Sequence, residues 1–179
     1  TRLLGAEGRG EYSLFTSSLQ LFVVWLGFSL PVSIIYFVSG EKISKDRIFS
    51  TMLLFCLLTT LLVILLLIVL KYTGGLWIIF PERFRGINWQ LFFVAQFFIM
   101  QLNGIIIAYL NAFKVFTPQA KFATVIAFLS LVVWVLLYFK IINLPWSGFQ
   151  LVVFVSFILS IPLWLFGFYL LRKNKIIVF

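Results

Sequence analysis

The chain has 179 residues, of which 63% are hydrophobic, 20% aromatic and only 11% charged, far below the roughly 25% charge of soluble domains. This excludes an ordinary soluble domain and marks an integral membrane protein. The net charge of +9 falls on residues at the ends of apolar runs, a placement that suits lipid headgroups and gives no case for nucleic acid as a partner.

Residues 1–11, TRLLGAEGRGE, are glycine-rich and charged and read as a loop. No charge appears from 12 to 40, a stretch longer than a hydrocarbon core of about 30 Å requires. The first span is placed at 18–38, where Pro31 removes a backbone donor and predicts a kink. A short charged loop, 41–47, precedes a second span at 48–70, almost entirely Leu, Ile, Val and Phe, with Thr59 and Thr60 as its polar pair. Residues 71–90 hold too short an apolar run to cross. Their Trp77, Trp89, Arg83 and Arg85 favour the headgroup zone, so the segment reads as an interfacial loop or a short helix lying on the surface.

The third span is placed at 91–113. A link at 114–121 containing Thr117 and Pro118 reads as a helix stop and restart. The fourth span follows at 122–142, and a turn through Asn143, Pro145 and Gly148 leads to the fifth at 149–171. The whole is an all-α polytopic transmembrane helical bundle of about five spans, one domain covering 1–179.

The third span is the most informative. At about 100° per residue, Gln96, Asn103 and Lys114 fall near one line, with Asn111 about 60° away. Beside them Gly104, Ala108 and Ala112 form a smooth stripe that lets another helix come close. The amides Gln96, Asn103 and Asn111 are candidates for lining a hydrated path, since an amide both donates and accepts; hydrogen-bond glue between helices is the plainer alternative. Ser29, Ser33 and Tyr36 around Pro31 form a second candidate lining, as do Ser156 and Ser160 near Pro162. For each, the alternative is a serine that merely satisfies backbone groups freed by proline. Arg9, between Gly8 and Gly10, is placed either to meet a phosphate or to pair with Glu7 or Glu11.

The five acids, Glu7, Glu11, Glu41, Asp46 and Glu82, all lie outside the apolar runs, there is no His, and Cys56 is the one Cys. Metal ligation by His and Cys clusters, a disulfide framework within the chain and carboxylate chemistry inside the membrane therefore have no candidates. The expectation is a protein that is not an enzyme and carries no cofactor or metal. The chain opens on Thr1, and the larger share of Lys and Arg flanks the spans on the side of the C-terminus. The positive-inside rule then predicts a cytoplasmic C-terminus and an outside N-terminus, the arrangement expected of a fragment lacking an earlier span.

Leu4-Gly-Ala-Glu-Gly-Arg-Gly-Glu-Tyr12, followed by Gly27-Phe-Ser-Leu-Pro31 and Ile35-Tyr-Phe37, resembles the N-terminal part of polysaccharide-transporter family proteins. These are the Wzx-like flippases of lipid-linked oligosaccharides, in the superfamily that also holds multidrug and toxin extruders. Gln101-Leu-Asn-Gly-Ile-Ile-Ile-Ala108 resembles a later segment of the same proteins. The resemblance implies spans two to six of a six-helix lobe, with the second lobe as partner around a central cavity. It also implies alternating access in a bacterial inner membrane and a polyprenyl-pyrophosphate-linked oligosaccharide as substrate. Family members are expected to meet the pyrophosphate with cations, yet no Lys or Arg lies in the middle of a span here, where one costs about 2.5–3.5 kcal/mol unless paired or hydrated. That contact falls to Arg2, Arg9, helix ends or residues outside 1–179. The alternatives are a drug or metabolite exporter of the same superfamily, and a polytopic glycosyltransferase or polymerase using the same lipid-linked substrates.

Overall fold

The computed structural model describes residues 5–27, 30–39, 44–139, 148–174 and 176. Among them are six α-helices and no strand: α1 (Gly5–Gly27), α2 (Leu30–Ser39), α3 (Lys45–Tyr72), α4 (Ile87–Ala112), α5 (Phe116–Tyr138) and α6 (Gly148–Lys173). Four of these, α3 to α6, are long and apolar enough to cross a bilayer, and α1 with α2 makes a fifth span if the pair counts as one broken span. The all-helical membrane architecture predicted from composition is the one observed.

The centre of the bundle is α4. Phe15 of α1 meets Phe93 near the start of α4, and Gly27 at the end of α1 faces Gln101 further along, so the two helices run parallel. Phe92 likewise meets Phe154 and Phe157 of α6, while Ile106 and Leu110 meet Gly167, so α6 is parallel as well. The intervening α3 runs the opposite way, with Phe49 against Tyr109 and the Cys56 thiol donating to the Phe98 carbonyl at 3.9 Å. Beyond α6, α5 also returns antiparallel, its early Phe122 stacked on Phe166 and its late Leu137 clustered with Leu151.

Two buried clusters hold these elements. One gathers Ile34, Phe49, Cys56, Ile105, Tyr109 and Leu171 at the end where α2 and α4 finish. The other gathers Phe15, Phe80, Phe93 and Phe97 at the opposite end. In lipid, association depends on such interlocking and on close backbone approach, because the acyl chains are as apolar as the helices. The threonines of α3 follow the same economy: Thr59 donates to Phe55 and Cys56 carbonyls at 3.0 Å, and Thr60 donates to the Cys56 carbonyl at 2.7 Å.

Several expected boundaries are corrected. The glycine-rich start is not a loop, since α1 begins at Gly5. Each glycine costs about 1 kcal/mol of helix propensity, but Tyr12, Phe15 and Leu19 place one apolar face into the Phe93 cluster and anchor the turns before them. The first span, expected at 18–38 with a kink at Pro31, is described as two helical pieces bent by 40° from one another. Residues 28 and 29, between Gly27 of α1 and Leu30 of α2, lie outside the described residues. The charged loop placed at 41–47 is shorter, since α3 takes up residues from Lys45.

The 71–90 segment holds no helix long enough to cross a bilayer before α4. Gly74, at φ 74°, turns the chain into two 3-10 turns, Gly75–Ile78 and Glu82–Phe84. Leu76, Ile79, Phe80 and Phe84 are buried, while Trp77 points outward. Four apolar side chains hold the segment to the bundle, and α4 then starts early, at Ile87. The link at 114–121 contracts to a tight turn through Lys114, at φ 57°, with the Val115 N–H donating to the Leu110 carbonyl at 2.8 Å. Pro118 falls in the first turn of α5, a position that tolerates it. The end of the span placed at 122–142 lies outside the described residues beyond 139.

Candidate functional site

A depression lies where α1, α2 and α4 meet. It encloses about 330 Å³ between Val23, Val24 and Gly27 of α1, Leu30, Pro31 and Val32 of α2, and Met100, Gln101, Gly104 and Ile105 of α4. Two glycines make room for it. A Cβ on Gly27 would sit 3.5 Å from the Gln101 amide, and one on Gly104 would sit 3.9 Å from Pro31 Cγ. The small-residue stripe of α4 therefore receives α2, as its smoothness predicts.

Gln101 is 5% exposed, and its Nε2 has no hydrogen-bond partner. A donor left unmet in an apolar interior costs about 1–3 kcal/mol, so such a group is retained at a price in stability. Gln101 lies near the middle of α4.

The sequence-predicted residues are distributed differently. Gln96 and Asn103 occupy the line of α4 that also carries Phe92, Ile106 and Leu110, the residues that meet α6. Both are partly buried, and Gln96 Oε1 is enclosed without a hydrogen-bond partner. On α6 the indole Nε1 of Trp164 is enclosed in the same way. Asn111 is exposed near the end of α4. Around the helix, Gln101 stands about 160° from Asn103, on the face of Gly104 and Ala108. The structure thus places Gln96 and Asn103 on the side of α4 toward α6 and Gln101 on the side toward α1 and α2.

Of the second candidate lining, Ser33 is partly buried, Tyr36 is 61% exposed and Ser29 lies outside the described residues. Arg9 is exposed on α1. Because residues 8–10 are helical, their backbone is committed to the helix, and the glycine-flanked loop cradle pictured for a phosphate does not form. Ser156 and Ser160 line a shallow, open groove of about 320 Å³ with Ala123, Ala127 and Ser130 of α5. The Ser160 hydroxyl there donates to the Phe157 carbonyl at 2.7 Å, a local backbone bond.

Gln101 is the residue that pattern reading passed over. It breaks the polar line and so looked incidental, although its position on the small-residue stripe was a usable signal: a large amide among Gly104 and Ala108 must reach into whatever the stripe faces. Comparison of the chain with protein-family models, with curated proteins and with solved structures found no match.

Proposed function

We propose that this chain is part of a membrane transporter that flips polyprenyl-pyrophosphate-linked oligosaccharide across a bacterial inner membrane by alternating access. The observation that supports this reading is the convergence of two segments distant in sequence. Gly27, Leu30 and Pro31 of one segment that carries the family resemblance, and Gln101, Gly104 and Ile105 of the other, line one cleft where α1, α2 and α4 meet. A bend of 40° between α1 and α2 beside a cavity near mid-span suits a transporter, where bent or broken helices commonly flank the substrate path. The lipid tail stays in the bilayer in this mechanism while the glycan moves through the polar interior, with Gln101 among its contacts.

The test is a flipping assay on the product of the whole reading frame that encodes these residues. In proteoliposomes, a polyprenyl-pyrophosphate oligosaccharide with a fluorescent glycan should exchange between leaflets faster than in protein-free vesicles. Gln101→Leu should slow that exchange. Equal rates with and without protein would rule out the flippase reading.

A further inference from the structure

The two ends of the bundle differ in charge. Where α3 and α5 begin and α4 and α6 finish, the fold gathers Lys45, Arg47, Lys114, Lys121, Arg172 and Lys173, with Asp46 the one acid there among the described residues. At the opposite end Arg9, Lys71, Arg83 and Arg85 stand with Glu7, Glu11 and Glu82, so the two signs nearly balance. The first end is cationic throughout. Its turn even holds Lys114 at φ 57°, a left-handed backbone that favours glycine after a helix.

Two of these cations sit beside side chains that face outward from the bundle. Lys173 Nζ lies 5.9 Å from the centroid of the Tyr169 ring, and Tyr169 is 54% exposed. Arg47 lines a groove of about 180 Å³ with Phe37, Ile48, Thr51 and Met52, and both Arg47 and Phe37 are exposed. An apolar groove with a cation at its rim has the polarity of the boundary between acyl chains and headgroups. The cation meets a lipid phosphate there, and the groove takes the upper part of the chains. A soluble polyanion would reach Lys121 or Arg172 from the water but has no use for the groove. Phosphatidylcholine brings its own ammonium group to each phosphate, so cations with few acids beside them favour a lipid of net negative charge.

We infer that this end of the bundle is a docking surface for anionic phospholipid, seated at the Arg47 groove and at the Lys173–Tyr169 pair. The surface is independent of the flippase reading. To test it, the chain in dodecyl maltoside micelles is mixed with equal amounts of dioleoylphosphatidylglycerol and dioleoylphosphatidylcholine, which share their acyl chains. Native mass spectrometry then counts the lipids retained.

Phosphatidylglycerol should be retained about fivefold over phosphatidylcholine, the scale of one surface cation, and the excess should vanish as ionic strength rises from about 0.05 to 0.5 M. Arg47→Gln combined with Lys173→Gln should bring the ratio close to one. Arg9→Gln combined with Lys71→Gln, at the other end, should leave it unchanged. All four side chains are exposed, so both paired variants should fold. Lys114→Gly should raise the unfolding temperature, because glycine suits the turn, yet lower the ratio; a ratio that followed stability instead would overturn the surface. So would a ratio near one in the unaltered chain, equal losses in the two paired variants, or indifference to salt. Displacement of phosphatidylglycerol by a short oligonucleotide at equal phosphate concentration would assign the cations to a soluble polyanion and overturn the lipid as partner.

Discussion

Gly167 of α6 lies so close to Ile106 of α4 that a Cβ added to it would stand 2.7 Å from Ile106 Cγ2 and 4.0 Å from Leu110 Cδ1. The seam between the two parallel helices is fixed there by the absence of a side chain. Gly167→Ala should force the helices apart or displace Ile106, a cost of about 1–3 kcal/mol. Equilibrium unfolding in mixed micelles measures it, and an unchanged midpoint would show that the seam gives way freely. Gly104→Ala, 3.9 Å from Pro31 Cγ, is the matched control and should be nearly silent.

Two glycines outside the seam should respond in opposite directions. Gly10 is helical with nothing within 4 Å of a built Cβ, so Gly10→Ala should stabilise by about 0.5–1 kcal/mol through helix propensity and the unfolded chain. Gly74 is equally open but sits at φ 74°, so Gly74→Ala should destabilise by about 1–2 kcal/mol. Thermal unfolding of the pair under one detergent condition gives both signs. A stabilising Gly74→Ala would contradict the turn.

Phe80 is fully buried, 6.2 Å from the Phe15 ring and 5.4 Å from the Phe93 ring. If residues 75–84 cap the bundle as described, Phe80→Ala should cost about 3–5 kcal/mol. It should also make the Gly75–Phe84 stretch newly sensitive to protease. A mere surface anchor would lose neither stability nor protection, so unchanged digestion would favour the interfacial loop expected from sequence.

The division of the α4 amides is open to chemical labelling. With Cys56 buried and slow as background, Asn111→Cys should react readily with a membrane-impermeant maleimide, whereas Gln96→Cys should be protected by the α6 seam. Rapid labelling at both positions would place Gln96 on a hydrated path and return it to the cavity.

Composition and span length made the membrane class and the helical segments legible, because a bilayer imposes length and apolarity on anything that crosses it. The bend between α1 and α2 was legible as a proline, but its size of 40° was not, because it depends on the neighbours that pack beside it, and those lie on α4. The same limit hid Gln101. Helical periodicity places Gln96 and Asn103 together and Gln101 opposite them, but it does not say which face meets α6 and which meets α2. The packing of residues 75–84 was not legible for a related reason: Leu76, Ile79 and Phe80 find a partner only once α1 and α4 are assembled beneath them.

The parallel course of α4 and α6 leaves α5 on the outside, attached chiefly through Phe122 on Phe166 and Leu137 near Leu151, with little of its length buried. Under mechanical load the bundle should therefore not yield evenly. Pulled from the C-terminus by a force probe, α6 must first break the Gly167 contact, giving one high rupture peak. With its main attachment gone, α5 should follow at low force, while α1 to α4 remain as a resistant unit. Two peaks of equal height for α6 and α5 would mean that α5 has a hold of its own.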